Sequence, residues 1–581
     1  MKKIINQPEN VVVEMCNGLV LAHPELTFSP KYKIIKKKDL NTQKVSLISG
    51  GGSGHEPAHA GFVGTGMLDA AVCGDVFASP SQIQVYRGIQ EVATDAGVLM
   101  IIKNYSGDMM NFKNGAALAE EDGITVDYVR VDDDIAVEDS LYTVGRRGVA
   151  GTIFVHKIAG AAAERGLTLA EVKSAAEKTA RATKSIGLAL TSCTVPASGT
   201  PTFTLAEDEM EYGVGIHGEP GITREKLLPA DELAARMVTD LLRDYGTAPQ
   251  EVAVLINGFG ATPLQELYIL NNAVLRELQQ RGVTTYRTFV GNYMTSIDMA
   301  GASVSLLALD EELKGYLDAP ASTPTLKVDG AALPMTAAAP QTITADEQVS
   351  FTVETDVQFA AITNEQFTLH NMHYYVDKMS AVIIENEVPF CELDQHAGDG
   401  DFGMSVAKGF KQLKREWATI LAETTTISAF LHASSLVIME HCGGASGPIW
   451  GSAFRAAAKS VASAETLTVA QFANMLQAAV DGIQTTGERS FGRGAVVGDK
   501  TLIDALVPTV EAWQQAAANN ATFKEAFVTG AEAAVDGAER TKDIVARMGR
   551  AGAVGDRSLG YPDAGAHGLG VIFTALAQEV K

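Results

Sequence analysis

The chain has 581 residues, 46% of them hydrophobic, and a formal net charge of −24 at pH 7, and its length predicts two to four soluble globular domains. The acidic balance disfavours a nucleic-acid partner, because negative surface charge repels phosphate backbones. Five scattered cysteines without a CxxC pair, and no apolar run of membrane-spanning length, predict a cytoplasmic protein without a membrane partner.

Short β-branched runs alternate with helix-like segments in the first half of the chain, which is typical of an α/β architecture. Five of these runs are predicted to be buried strands: 44–49, 98–103, 125–130, 151–155 and 252–257. Three of them end in glycine-containing loops, SGGGSGHEP, NYSGDMMNF and GFGATP. Because ligands bind beyond the carboxyl ends of strands in open α/β sheets, we expect these loops to line a pocket.

Candidate catalytic side chains occur in these loops and in one further glycine-rich stretch. His55 and His59 follow the first strand, Lys103 and Asp108 follow the second, and His217 lies in GVGIHGEPG. A loop carboxylate such as Asp108 can act as a general base. Non-catalytic alternatives are a packed or solvated side chain for His59, a surface ion pair between Lys103 and Asp108, and a simple turn around His217.

The segment 319–349 is rich in Ala, Pro and Thr and has no sustained apolar period, which predicts a linker. It separates a predicted domain at 1–318 from a predicted domain at 350–581. The second domain carries apolar residues at helical spacing and shows few strand-like alternations. We therefore expect it to be all-helical.

The stretch ELDQHAGDGDFGMS at 392–405 places three carboxylates across a glycine-rich turn. Glycines allow a tight turn that would bring Asp394, Asp399 and Asp401 together, and their mutual repulsion would then require a cation. Hard oxygen ligands suit Mg²⁺, which usually accompanies nucleotide phosphates. The alternative is a solvated acidic turn.

Three more glycine-rich loops in the same half favour phosphate binding. They lie at 441–452, 492–506 and 548–566 and contain Ser446, Lys500 and Arg550. Backbone N–H groups and a hydroxyl at the start of a helix can hold an anion. The pattern G-x-x-x-x-G-K-[ST] does not occur in the chain, so the sequence is not that of a P-loop enzyme.

Together these motifs resemble the dihydroxyacetone kinase family. The resemblance runs in order through GGGSGHEPAHAGFVG, NYSGDMMNF, GIHGEPG, NGFGATPLQELY and TSIDMAG, and then through AGDGDFG, GGASGP, GDKTLIDAL and DAGA. It implies an N-terminal α/β substrate domain made of two α/β subdomains, followed by an all-α helical barrel that holds the nucleotide. It also implies a homodimer formed through the α/β domain.

The resemblance implies roles for residues of the substrate domain. His217 matches the histidine that binds the carbonyl carbon of the substrate as a covalent hemiaminal. Asp108 and His55 match the pair that takes the proton from the substrate hydroxyl. The positions that contact the substrate are Gly52, Ser53, Gly54 and Lys103.

The resemblance also implies which residues of the helical domain bind metal and nucleotide. Asp394, Asp399 and Asp401 match the ligands of Mg²⁺ ions that bridge the phosphates of ATP. The nucleotide-contacting positions are Phe402, Gly403, Met404, Ser405, Ala445, Ser446, Leu502, Arg550 and Asp563.

The implied activity is ATP-dependent phosphorylation of dihydroxyacetone to dihydroxyacetone phosphate. Because both domains lie in one chain, the fusion resembles the branch that uses free ATP, and not the branch whose nucleotide a phosphotransferase protein recharges. Three alternatives stay open. They are a kinase for a four-carbon ketose such as erythrulose, FAD splitting to cyclic FMN as a side activity, and a non-catalytic ketose sensor.

Overall fold

The computed structural model describes residues 2–137, 145–219, 221–335, 352–396, 398–548, 552 and 555–580. The chain divides into two compact units, Met1–Pro340 and Gln341–Lys581, and each has its own hydrophobic core. Within these described ranges, no helix is both long and apolar enough to cross a membrane.

The first unit contains two six-stranded sheets, and the first sheet is largely parallel. Its strands are β1 (Leu26–Ser29), β2 (Ile34–Lys37), β3 (Ser46–Ser53), β4 (Ala70–Val76), β5 (Val98–Lys103) and β6 (Val126–Val131). Their order is β1-β2-β4-β3-β5-β6, with β4, β3, β5 and β6 parallel. The helices that pack on this sheet are α1 (Val11–Ala22), α2 (Gln82–Val92), α3 (Ser106–Glu121), α4 (Thr152–Glu164) and α5 (Leu169–Ala182). The strands β3 and β5 are buried along their whole length, as is expected when helices cover both faces of a parallel sheet.

The second sheet is mostly antiparallel. Its strands are β7 (Thr183–Ala189), β8 (Glu209–Tyr212), β9 (Thr223–Lys226), β10 (Glu251–Gly258), β11 (Thr284–Gly291) and β12 (Gly301–Ala308). Their order is β11-β10-β12-β7-β8-β9, and only β10 and β11 are parallel. The helices of this part are α6 (Ala230–Asp244), α7 (Leu264–Gln280) and α8 (Glu311–Leu317). The predicted pair of α/β subdomains is therefore confirmed.

One predicted strand is wrong. The run 151–155 does not form a strand, because its residues from Thr152 onward begin the helix α4, which is buried on nearly every side. A short β-branched apolar run has the same composition in a buried helix and in a buried strand. The other four predicted strands are confirmed by β3, β5, β6 and β10.

The second unit is all-helical, as predicted. Its helices are α9 (Leu369–Glu385), α10 (Glu387–Asp394), α11 (Phe402–Arg415), α12 (Trp417–Glu423), α13 (Ile427–His441), α14 (Ser446–Ser460), α15 (Val469–Phe491), α16 (Ile503–Ala518), α17 (Phe523–Arg540) and α18 (Ala564–Glu579). Neighbours pack in the order α9, α11, α13, α14, α15, α16, α17, α18, and α18 packs back against α9. This closed ring is the predicted helical barrel. Capping boxes at Thr368, Thr468 and Thr522 begin α9, α15 and α17 by satisfying N–H groups that a helix start leaves open.

The first part of the predicted linker is folded. Two short strands, β13 (Ala321–Ser322) and β14 (Lys327–Val328), pair with each other, and Leu326 and Val328 are buried in the core of the first unit. This stretch is therefore part of the first unit, because its apolar side chains join that core. Residues 336–351 lie outside the described residues, and the domain bounds 1–318 and 350–581 stay predictions.

Candidate active site and nucleotide pocket

The end of β3 brings the chain into the candidate active site of the first unit. The three glycines 50–52, predicted to belong to a loop, continue this strand. A Cβ at Gly52 would lie 2.8 Å from the backbone of Phe77, and a Cβ at Gly54 would lie 2.9 Å from the Phe77 ring. Only glycine fits this close approach. The strand thereby delivers His55 into a fully buried position against the Phe77 ring.

His55 and His217 meet at this site. The Nδ1 atom of His55 lies 2.9 Å from the Thr295 carbonyl oxygen, and its Nε2 atom lies 3.2 Å from Nε2 of His217. A carbonyl oxygen only accepts hydrogen bonds, so Nδ1 of His55 donates and Nε2 of His55 is left as an acceptor facing His217.

Aromatic rings enclose the half-buried His217. The centroids of Tyr105 and Phe77 lie 4.6 and 5.3 Å from the centroid of the His217 ring. Burial, with the positive charges of Lys103 and Arg147, lowers the pKa of His217 to about 3. Burial, with His217 and Lys103 nearby, also holds the pKa of His55 well below its ordinary value. Both imidazoles are therefore neutral near pH 7 and keep a lone pair available for chemistry.

Lys103 and Asp108 form a buried ion pair, and not the surface pair that was the alternative. The Nζ atom of Lys103 lies 3.2 Å from Asp108 Oδ2, and the residues are 1% and 3% exposed. Asp108 lies in the first turn of α3 and not in a loop, and its other oxygen accepts a hydrogen bond from Ser79. The Lys103 Nζ atom also lies 5.7 Å from the centre of the Tyr105 ring. Tyr105 thus links this ion pair to His217.

Two other predicted residues of this loop have structural partners. The Ser53 hydroxyl donates to the Gly74 carbonyl oxygen at 2.8 Å, which holds the end of β3 against β4. His59 is buried, and its Nδ1 atom lies 2.9 Å from Nε2 of His156. His59 is therefore a packed histidine, as its non-catalytic alternative proposed.

In the second unit the three predicted carboxylates converge. Oxygens of Asp394, Asp399 and Asp401 all lie within 4.8 Å of one another. The Asp394 carboxylate accepts the Gly400 N–H at 2.9 Å, and a Cβ at Gly398 would overlap it. Burial raises the pKa of Asp394, and the charges of Asp399 and Asp401 add to this effect. A set made only of carboxylate oxygens fits Mg²⁺.

A pocket of about 200 Å³ adjoins these carboxylates. Its wall contains all three aspartates and the predicted nucleotide-contacting residues Phe402, Ser405, Ala445, Ser446, Leu502 and Asp563. Ser446 begins α14, with Ala445 as its N-cap after Gly443 and Gly444, so backbone N–H groups at the helix start can face an anion. Burial raises the pKa of Asp563, the N-cap of α18, to about 7.

Three predicted nucleotide residues are not placed in that wall. Gly403 faces α10, where a Cβ would overlap the Glu387 carbonyl oxygen. Met404 is 56% exposed on α11. Arg550 lies outside the described residues.

Several residues of the two sites were not predicted. Tyr105, Glu219 and Thr295 lie inside the motifs but carried no predicted role, whereas Phe77 and Arg147 come from distant segments without a local signal. In the nucleotide pocket the additional lining residues include Trp450, Lys500 and Met548. Lys500 donates hydrogen bonds to the carbonyl oxygens of Ser558 and of Tyr561, the latter at 2.8 Å. It thereby holds the segment from Ser558 to Tyr561 beside the pocket.

Both units match described protein families. Residues 17–325 match the Dak1 domain, and residues 396–578 match the DAK2 domain. The first match alone covers more than half of the chain. The chain therefore belongs to the dihydroxyacetone kinase family, a class of phosphotransferases that act on short sugars.

Individual relatives agree with this assignment. The dihydroxyacetone-binding subunit DhaK of the PTS-dependent dihydroxyacetone kinase 1 of Listeria innocua is 52% identical over 54% of this chain and 95% of its own length. The D-erythrulose kinase of Mycolicibacterium smegmatis is 34% identical over 100% of this chain and 99% of its own length. The dihydroxyacetone kinase of C. freundii, solved with AMP-PNP and Mg²⁺, is 31% identical, covers 99% of each chain and has a TM-score of 0.59.

Proposed function

We propose that this chain is an ATP-dependent dihydroxyacetone kinase that holds its substrate as a hemiaminal on His217. The observation that carries the proposal is the pair of neutral, enclosed imidazoles, His55 and His217, with the Lys103–Asp108 ion pair connected to them through Tyr105. A neutral imidazole is a nucleophile, and a ketone carbon is its natural electrophile.

The covalent step uses the contact between the two rings. A nitrogen lone pair of His217 forms the C–N bond, the C=O π electrons move to oxygen, and that oxygen takes up a proton. The attacking imidazole loses its N–H proton to the adjacent Nε2 of His55, which the Thr295 carbonyl orients, and His55 passes this proton on to the carbonyl oxygen and returns to its neutral form. Glycerol has no carbonyl group, so it cannot form this adduct.

The phosphoryl step uses Asp108. Its carboxylate, with His55, takes the proton of the substrate hydroxyl as that oxygen attacks the γ-phosphate. The Lys103 ammonium group compensates the charge of the Asp108 carboxylate in this buried setting. We assign Gly52, Ser53 and Gly54 to the substrate contact surface because they adjoin His55 at the end of β3.

The second unit binds the phosphate donor in this proposal. Asp394, Asp399 and Asp401 would hold Mg²⁺, which neutralises charge that develops during phosphoryl transfer. The N-terminus of α14 would hold the phosphates, and Phe402 and Leu502 in the wall of the pocket would contact the base. The complex of the C. freundii kinase with AMP-PNP and Mg²⁺ supports this assignment.

The identity of the ketose is the finer part of the proposal. The DhaK relative, 52% identical in the first unit, favours dihydroxyacetone. The D-erythrulose kinase, similar over the whole chain, favours the four-carbon ketose as the alternative substrate. A ratio of kcat/KM values that strongly favours erythrulose would replace our first choice.

The test is an ADP-release assay with Mg²⁺-ATP and dihydroxyacetone, erythrulose or glycerol. We compare the wild type with His217→Ala and with the control His23→Ala, a partly exposed histidine that pairs with Glu25 outside the site. The proposal expects ketose turnover that collapses only in His217→Ala, with glycerol inert. Ketose turnover that survives in His217→Ala would overturn the covalent mechanism, and tight ketose binding without turnover would favour a sensor.

Three further expectations stay predictions. Size-exclusion chromatography with light scattering tests the homodimer. Incubation with FAD and Mn²⁺ tests the cyclase side activity, which requires release of a cyclic product. Fractionation of the source cells tests the cytoplasmic location.

A further inference from the structure

The carboxylate of Glu219 bridges the backbone of His217 and a buried arginine. Its Oε2 atom accepts the His217 backbone N–H at 2.8 Å, and its Oε1 atom lies 3.1 Å from a guanidinium nitrogen of Arg147. Glu219 is two residues beyond His217, so this bridge closes the tip of the loop on itself. The bridge thereby connects the loop that carries His217 to the guanidinium charge of Arg147, a residue outside that loop.

Arg147 is a rigid anchor for this bridge. It is 1% exposed, donates to Asp134 at 2.7 Å, and donates to the Gly213 carbonyl oxygen at 2.9 Å. Asp134 pairs with Ser185 of β7 in an isolated bridge, so the arginine is connected to the second sheet. Arg147 therefore holds the His217 loop at its beginning, through Gly213, and at its tip, through Glu219.

Gly215 provides an independent sign that the carboxylate position matters. A Cβ at residue 215 would overlap Oε1 of Glu219 and would lie 2.8 Å from a guanidinium nitrogen of Arg147. The space that the ion pair occupies therefore exists only because residue 215 has no side chain. The glycines of GVGIHGEPG thus admit the ion pair as well as leaving room beside the imidazole.

We propose that Glu219, held by Arg147, is the positioning residue for the nucleophile His217. This inference rests on the proposed function, in which His217 attacks the ketone. A bridge to the backbone of residue 217 sets where the ring enters the enclosure formed by Tyr105 and Phe77. A largely buried carboxylate, with a side chain 10% exposed and fixed by an arginine, holds an N–H group in one direction better than water would.

The effect on the reaction follows from attack geometry. A nucleophile displaced by about 1 Å can lose about 100-fold in rate. Glu219→Gln keeps the size of the side chain and an oxygen for the His217 N–H, but it removes the charge that pairs with Arg147. We therefore expect kcat/KM for dihydroxyacetone to fall by about 10- to 100-fold.

The experiment compares Glu219→Gln with the matched control Glu225→Gln. Glu225 also pairs with an arginine, Arg236, but lies on β9 away from His217. For each variant we measure kcat/KM for dihydroxyacetone, the inhibition constant of glycerol and the melting temperature. Glycerol has no carbonyl group and cannot form the covalent adduct, so its inhibition constant reports pocket shape and not nucleophile placement.

The expected result is a loss of kcat/KM in Glu219→Gln with an unchanged inhibition constant for glycerol, and no change in Glu225→Gln. Gly215→Ala keeps the charge of Glu219 but displaces its carboxylate, and it should reproduce the loss even if Glu219→Gln does not fold. Equal losses in ketose turnover and glycerol binding would make the role merely structural and overturn the proposal, as would full activity of Glu219→Gln. Full activity of His217→Ala would instead overturn the proposed function.

Discussion

The Nε2 atoms of His55 and His217 lie 3.2 Å apart, although 162 positions separate the two residues in the chain. Two rings in this contact cannot both carry protons on the facing nitrogens without strong repulsion. Burial is the largest cause of the lowered pKa values: with the charges of Lys103 and Arg147 it lowers the pKa of His217 to about 3, and with His217 and Lys103 nearby it holds that of His55 well below its ordinary value. The reactive form of the site is the neutral pair.

This relationship predicts the pH dependence of the kinase. A lowered pKa means that His217 is protonated only near pH 3, so its lone pair stays available throughout the neutral range. We expect no acid limb in kcat/KM at the ordinary imidazole pKa of 6.5. A pH profile of the wild type beside His55→Asn checks this. An acid limb near pH 6.5 that vanishes in the variant would contradict it.

Removal of Lys103 should destabilise the first unit as well as stop catalysis. Lys103→Met leaves the buried Asp108 carboxylate without its cation, a change that costs about 3–5 kcal/mol. The double variant with Asp108→Leu should recover most of that stability and remain inactive. Urea denaturation followed by circular dichroism measures the loss. Lys173→Met, which breaks a partly exposed pair with Asp127, is the control and should cost less than about 1 kcal/mol.

Metal binding should stabilise the second unit through the three aspartates. Mg²⁺ with AMP-PNP binds only the folded arrangement, so it should raise the melting temperature of this unit. Tryptophan fluorescence reports on it alone, because the tryptophans of the chain are Trp417, Trp450 and Trp513.

The expected stabilisation disappears with EDTA and in Asp394→Asn. The control is Asp481→Asn, on the face of α15 where Asp481 accepts from Gln477. A shift in melting temperature that survives in Asp394→Asn would remove this residue from the metal site.

Gly51 should tolerate no side chain. A Cβ at Gly51 would overlap the Lys103 ammonium group and would lie 3.2 Å from Asp108 Oδ2. The φ of Gly51, +156°, also disfavours alanine. Gly51→Ala should lower kcat/KM by displacing Lys103. Gly18→Ala on α1 is the control, since nothing lies within 4 Å of its Cβ. Gly18→Ala should keep its activity and gain up to about 1 kcal/mol in unfolding free energy. An unchanged kcat/KM in Gly51→Ala would contradict the prediction.

The amino-acid sequence was sufficient where the interacting residues are neighbours in the chain. Asp394, Asp399 and Asp401 lie within eight positions of one another, and a glycine-rich turn can bring such residues together by local geometry alone. The helical spacing of the second half predicted its all-helical character for the same reason, since periodicity is a local property.

Tertiary structure decided what depends on contacts between distant segments. The run 151–155 leads into a buried helix and does not form the predicted strand. A β-branched apolar run fits a buried helix as well as a buried strand, and its packing partners decide between them. Tertiary structure also brought His55 to Thr295 and His217, and Glu219 to Arg147. These pairs come from segments joined only by the packing of two sheets, and the desolvation that lowers the pKa values of the histidines exists only once that packing is complete.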